Sequence, residues 1–174
     1  MTDIRIIQSD LSHVSLLCSL GLETFNESLA NFNHPEDMLA YTSIAFHPTQ
    51  VEKEINEPGS LFFLAYVNGE IAGYARLRLS NEVNDKFPGK KLMELHRLYA
   101  LEKFIGIGLG KALMELCLST AQQKDTDILW LGVWEHNTRA LSFYKKWRFE
   151  LFGSHEFMLG KDLQTDLLMK KELK

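Results

Sequence analysis

An α+β domain with a mixed, mostly antiparallel sheet of about seven strands is the fold class this sequence predicts. Helical spacing occupies residues 11–57, and after Pro58-Gly59 the pattern turns to period two or to solid apolar runs. One run leads through a glycine-rich loop straight into an amphipathic helix, whereas two others meet at Asn68-Gly69, a strong two-residue hairpin signal. Hairpins give antiparallel pairs and a helical crossover gives a parallel one, so the sheet is mixed.

Taken in order, Ile4-Arg5-Ile6-Ile7 is a short strand, and Asp10 is placed to cap a helix over roughly 11–26. Pro35 suits a helix start, and Glu36–Ala45 carries Met38, Leu39 and Tyr41 at helical spacing. A third helical piece runs from about Thr49 to Glu57. Leu61–Val67 and Ile71–Leu79 are the hairpin strands, residues 80–90 a polar loop, and Leu92–Leu101 the next strand. The helix after Gly108 sets Leu109, Ala112, Leu113, Leu116 and Cys117 on one face. Ile128–Trp134 reads as a buried strand, Asn137–Lys146 as a short helix, and Phe149–Met158 and Thr165–Lys170 as closing strands. No internal repeat or linker interrupts residues 1–174, which read as a single domain.

Bulk composition narrows the function classes. A net charge of −4 argues against nucleic acid as a partner, and Lys145-Lys146-Trp147-Arg148 is too short to form a basic stripe. No apolar run approaches about 18 residues and no basic leader follows Met1, so neither a membrane nor export is expected and the cytoplasm is the predicted location. Cys18 and Cys117 fall on apolar helix faces as reduced core residues, and no cysteine–histidine spacing suggests a metal.

The loop Ile105-Gly-Ile-Gly-Leu-Gly-Lys111 is the most informative motif. Glycines let backbone N–H groups approach a ligand, and a helix start adds unpaired donors and a positive dipole end, so Gly106, Gly108 and Gly110 mark a phosphate site. Spacing excludes two familiar phosphate loops. Ile105 stands where a P-loop needs its first glycine, and a dinucleotide fingerprint would place the third glycine one residue later.

A second motif follows the fifth strand: Asn137-Thr-Arg-Ala140-Leu-Ser-Phe143-Tyr144-Lys-Lys-Trp-Arg-Phe149. In this order the two motifs resemble the GNAT superfamily of N-acetyltransferases over essentially the whole chain. Glu23-Thr-Phe-Asn26, Trp130-Leu-Gly-Val-Trp-Glu135 and Gln164-Thr-Asp166 bring it closest to PaiA-like spermidine/spermine acetyltransferases. The resemblance implies a GNAT fold with acetyl-CoA in a splay between the fourth and fifth strands. It places the pantetheine arm along the Leu98-Tyr99-Ala100 edge and the pyrophosphate on the amides of Ile105, Gly106, Ile107, Gly108, Leu109, Gly110 and Lys111. Ile105 departs from the family, which usually has Gln or Arg there, and should weaken that contact without abolishing it. Asn137 matches a cofactor-contacting asparagine and is equally suited to cap its helix. Lys146 either reaches a cofactor phosphate or complements a helix end.

Acyl transfer from a thioester to an amine needs a polarised carbonyl, a neutral amine and a proton for the departing thiolate. Tyr144 is the expected general acid, because a phenol with a pKa of about 10 stays protonated at neutral pH. For the base, Glu94 and His96 share a strand face beside the thioester site, with Glu135 a weaker alternative, and a histidine titrating near about 6.5 is suited to the task. Each is otherwise a satisfied polar group at a sheet edge. Neither cysteine lies near the site, so transfer is expected to be direct.

Acceptor recognition is assigned to the early helices. Glu23, with Glu27, Glu36 and Asp37, would suit a polyamine, and Phe25, Tyr41 or Trp134 would line its methylenes, with Glu135 nearby. Acidic residues on helices are also simply solvated. His155 and Asp166 of the last hairpin are within reach of the site, although no sequence argument brings them there. The expected activity is therefore acetyl transfer from acetyl-CoA to a small primary amine, polyamines favoured, with no metal and room for a homodimer. Acetylation of a protein N-terminus or lysine, or an acetyl-CoA sensor with little turnover, are the alternatives.

Overall fold

A computed structural model of the chain describes all of residues 1–174. One seven-stranded sheet runs through it in the order β1-β2-β3-β4-β5-β7-β6. Its strands are β1 (Ile4–Gln8), β2 (Leu61–Val67), β3 (Glu70–Arg78), β4 (Leu92–Ala100), β5 (Ile128–Trp134), β6 (Glu150–Leu159) and β7 (Asp162–Glu172). Only β4 and β5 are parallel; the other neighbours are antiparallel. Asn68 and Gly69 both have positive φ (50° and 82°), the type I′ geometry whose twist matches the strands it joins.

Helices α1 (Val14–Leu29), α2 (Pro35–Ala45) and α3 (Pro48–Asn56) cover one face of the sheet, and α4 (Leu109–Gln123) and α5 (Thr138–Lys146) the other. On the α4 side, Ala75, Leu77, Leu95, Leu129 and Leu131 meet Leu113, Met114, Cys117 and Phe149 in the largest apolar cluster. On the opposite side, Phe62, Leu64 and Tyr74 meet Leu17, Leu20 and Val51. Phe25, Leu29, Met38 and Phe46 form a further cluster with Leu159 of β6.

Boundaries shift where tertiary context outweighs local signal. The helix expected from residue 11 opens as a 3₁₀ turn (Leu11–His13), where Asp10 and His13 form a reciprocal capping box, and α1 then runs on to Leu29. β7 is longer than its sequence suggests because β5 and β6 pair with it on both edges. Cys117 is buried and burial pushes its thiol up to about 12, whereas Cys18 is only half-buried. No helix is long and apolar enough to cross a membrane, and no group of three or more His, Cys, Asp or Glu is arranged to hold a metal.

One irregularity positions the site. The β3–β4 register shifts between Arg76 and Leu77, which pair with Arg97 and Leu95, so His96 is the extra residue of a bulge in β4. Parallel pairing with β5 covers only Leu92, Met93 and Glu94. From Leu95 onward β4 pairs with β3 alone while β5 stays bound to β7, and the sheet opens between them.

Candidate active site

The opening between β4 and β5 leads to a cavity of about 830 Å³ on which two helix N-termini converge. Gly106, Gly108, Gly110 and Lys111 line it from the start of α4, and Asn137, Thr138 and Arg139 from the start of α5. Gly106 and Gly108 have φ of 88° and 93°, a conformation that side chains with a Cβ rarely adopt. Gly108 is the N-cap of α4 and offers no side chain to its first turn, which leaves the N–H groups there free for a ligand. Gly110 differs: it lies inside α4, and a Cβ there would come within 3.3 Å of Phe143, so its smallness serves the approach of α5. Lys111, Arg139 and Lys146 bring three positive charges to the walls, against Glu27 and Glu102.

Leu98, Tyr99 and Ala100 supply the β4 wall, and Trp134, Phe143 and Tyr144 stand across from it. Tyr144 is buried against Phe149, and burial pushes its phenol well above the ordinary range. Asn137 caps α5, its Oδ1 accepting from the Ala140 N–H at 3.2 Å. Ile105 also lines the cavity. Ile107 and Leu109 do not: Ile107 points to solvent, and Leu109 is buried in the core because helical spacing turns it towards the sheet.

A second cavity, of about 600 Å³, lies on the α2–α3 side. His96 and Arg97 line it, and they directly precede the β4 residues that line the first, so the two cavities meet along one strand. Its walls carry a network of buried charge. Glu54 of α3 accepts from Arg76 Nη1 at 2.5 Å and from Arg97 Nη1 at 3.0 Å, Glu57 accepts from Arg76 Nη2 at 2.6 Å, and Glu94 accepts from Arg78 Nε at 2.6 Å. Glu94 is buried, which raises its pKa, while Arg78 partly opposes the rise. His96 Nδ1 lies 3.1 Å from Arg76 Nη1; a guanidinium only donates, so Nδ1 accepts and Nε2 carries the hydrogen. Burial and the three neighbouring arginines hold His96 neutral, with a pKa well below the usual imidazole range. The expected basic histidine thus has its one lone pair committed.

The expected acidic wall for the acceptor is not assembled. Glu23 and Glu36 are exposed and line neither cavity. Glu27 accepts from the Glu102 N–H, and Asp37 from the Lys161 N–H. Phe25 is core, stacked behind Tyr41 at 4.9 Å, so only Tyr41 of that pair faces the smaller cavity. Glu135 lies past the end of β5 beside His136 and lines neither cavity. His155 and Asp166 lie at the edge of the opening, next to Gly132 of β5. Arg78, Arg97 and Glu54 are functional candidates that were not anticipated. For the arginines the signal was charge within otherwise apolar strands. Arg76 and Arg78 stand at period two, whereas Arg97 breaks the period set by Glu94 and His96, and Glu54 on α3 carries no such signal.

Residues 24–149 match the model of the acetyltransferase (GNAT) family. An uncharacterised N-acetyltransferase of Lactobacillus delbrueckii subsp. lactis is 36% identical over 173 residues, 99% of both chains. One from Mycobacterium tuberculosis is 29% identical over 157 residues, covering 90% of this chain and 96% of its own. Among solved structures, the PaiA N-acetyltransferase of Thermoplasma acidophilum in complex with coenzyme A superposes with a TM-score of 0.80 at 19% identity, covering 98% and 99% of the two chains. A GCN5-related N-acetyltransferase of Rhodopseudomonas palustris gives 0.76 at 15% identity, covering 97% and 94%. With a parallel β4–β5 pair that opens onto a glycine-capped helix, and with relatives similar over nearly its full length, this chain belongs to the acetyltransferase (GNAT) family.

Proposed function

We propose that the protein transfers the acetyl group of acetyl-CoA to the primary amine of a small molecule by direct attack. The observation that carries this reading is the opened β4–β5 edge beside a helix start with free N–H groups. Such a slot takes an extended thioester arm as a further strand and its phosphates on the helix. The larger cavity fits that donor: the Gly106–Lys111 loop, Lys111, Arg139 and Lys146 for the phosphates, and the Leu98–Ala100 edge for the arm. The coenzyme A complex of the PaiA structure supports the same donor.

Acetyl-CoA supplies an activated acyl group; the chain supplies placement and protons. Holding the acetyl group beside the acceptor converts a bimolecular encounter into a nearly unimolecular one. As the amine nitrogen bonds to the carbonyl carbon, the carbon–sulfur bond breaks, one amine proton leaves to a base, and the thiolate takes a proton from Tyr144. Of the two expected bases Glu94 is the one left: its carboxyl is buried, its pKa is raised and only Oε2 is engaged by Arg78, whereas His96 has no lone pair to spare. Glu94 lies behind the lining of both cavities and so would take the proton through a water. Neither cysteine lines either cavity, which agrees with transfer in a ternary complex.

Thiol release from acetyl-CoA over a panel of amines tests the reading, together with acetyl-CoA affinity by calorimetry. Gly108→Val forces a β-branched residue to φ 93° and sets its side chain over the helix start. Affinity for acetyl-CoA is expected to fall by about tenfold or more; unaltered affinity would remove the loop from the donor site.

A further inference from the structure

The walls of the smaller cavity run against the polyamine acceptor that the sequence favours. Glu54 is the one carboxylate among its lining residues, and both of its oxygens are already occupied, by Arg76 and Arg97. Just behind the wall, Glu94 is held by Arg78. The charge of the cavity's one carboxylate is thus shared between two arginines, and its walls hold no uncompensated negative charge for a cationic acceptor.

The donors show the opposite balance. Arg78 and Arg97 line the cavity with Lys161. Arg78 uses only Nε and Arg97 only Nη1, so both terminal nitrogens of Arg78, and Nε and Nη2 of Arg97, have no partner within the chain. Glu54 and the ring of Phe46, 5.4 Å from the Arg97 guanidinium carbon, hold that guanidinium in place, so ordering it costs a ligand little. Guanidinium groups with unused N–H donors, Arg97 buried and Arg78 half-buried, suit a carboxylate, which accepts two parallel hydrogen bonds from one fork. Ala40, Ile44 and Met158 add an apolar wall, and about 600 Å³ suits a molecule of amino-acid to dipeptide size.

We infer that the acceptor is a small amine carrying a carboxylate, which Arg78 and Arg97 bind so that the amine is turned towards the opened edge of β4. The inference rests on the acetyl-transfer reading above and narrows its substrate class.

The test is thiol release by the full chain on matched acceptors: leucine and methionine, their amides, their decarboxylated amines, dipeptides of the same residues, and spermidine and putrescine. The free acids are expected to exceed their amides in kcat/KM by about tenfold or more. The dipeptide arm shows whether the carboxylate sits on the same residue as the amine. Arg78→Gln is expected to raise KM for the acids about 10- to 100-fold more than KM for the amides, with KM for acetyl-CoA unchanged and any loss of kcat through Glu94 shared by acids and amides alike. Because that change also strips Glu94 of its partner, Arg78→Lys serves as a second variant. It keeps the charge, loses the fork, and should give a smaller rise in KM for the acids alone. Amides or polyamines turned over as well as the acids, or equal losses on acids and amides in both variants, would overturn the inference. If no amine turns over, calorimetry of N-acetyl acids against N-acetyl amides on the CoA-loaded protein decides instead. Tighter binding of the acids supports the inference and equal binding refutes it. Failure of the wild type to bind acetyl-CoA at all would bring down the acetyl-transfer reading itself, a result distinct from all of these.

Discussion

Tyr144 stands on α5 where the larger cavity meets the core, with Phe143 and Phe149 around its ring. A phenol whose pKa is pushed up stays protonated throughout the working range, which suits a group that must donate. The same shift keeps it from acting as a base. Tyr144→Phe removes the donor and little else, since the ring keeps its packing. It is expected to lower kcat by about one to three orders of magnitude with acetyl-CoA affinity nearly unchanged. An unaltered kcat would take Tyr144 out of the proton path. At this scale the sequence was uneven. The glycines stand out by spacing before a helix, whereas Tyr144 and Asn137 are singled out by the resemblance of residues 137–149 to the family's motif. His96 illustrates what spacing does not contain, because the three arginines that suppress its basicity come from two strands.

Among the elements, β4 decides the most. Its bulge at His96 ends the pairing with β5 after three residues and turns Arg97 to the same side as Arg76 and Arg78. That side faces α3, whose Glu54 then bridges Arg76 and Arg97. The strands themselves were legible: Leu61–Val67 and Ile128–Trp134 are uninterrupted apolar runs with sharp polar ends. The bulge was not, because nothing in Met-Glu-Leu-His-Arg-Leu separates an extra residue from regular alternation. Nor was the ion network, whose partners lie 16 to 43 residues apart. Glu54 lies at the centre of that network, so its neutralisation gives a sharp test. Glu54→Gln leaves Arg97 buried without a counter-charge and Arg76 with Glu57 alone. A loss of about 3–5 kcal/mol of stability is expected, measured by urea unfolding. A loss below about 1 kcal/mol would show that the arginines are balanced from elsewhere.

Across the whole molecule, the sheet holds two layers of helices apart and the opening in it connects them: the larger cavity is built largely from α4 and α5, the smaller, where the acceptor is proposed to bind, largely from α2 and α3. The acceptor side is closed by the β6–β7 hairpin, which is tied to the 80–90 loop through His155. Its Nδ1 is 2.5 Å from Glu82 Oε1 and its Nε2 is 3.4 Å from Asp166 Oδ2. The Asp166 contact raises the imidazole pKa, burial opposes it and Glu82 adds to it, and the balance places it at about 9. In the unfolded chain the same group titrates near about 6.5. A raised folded-state pKa gives stability that is fully present below about 6.5 and is lost as pH climbs through about 9. His155 is partly open to solvent, so screening limits the effect to about 1 kcal/mol, or about 2–4 °C in Tm for a domain of this size. Melting curves of the wild type and His155→Gln at pH 6 and pH 9.5 test this: the gap in Tm is expected at the lower pH and should close at the higher. A gap of the same size at both values would mean that His155 holds the hairpin by packing alone, with the charge on Asp166 and Glu82 playing no part in keeping the acceptor side shut.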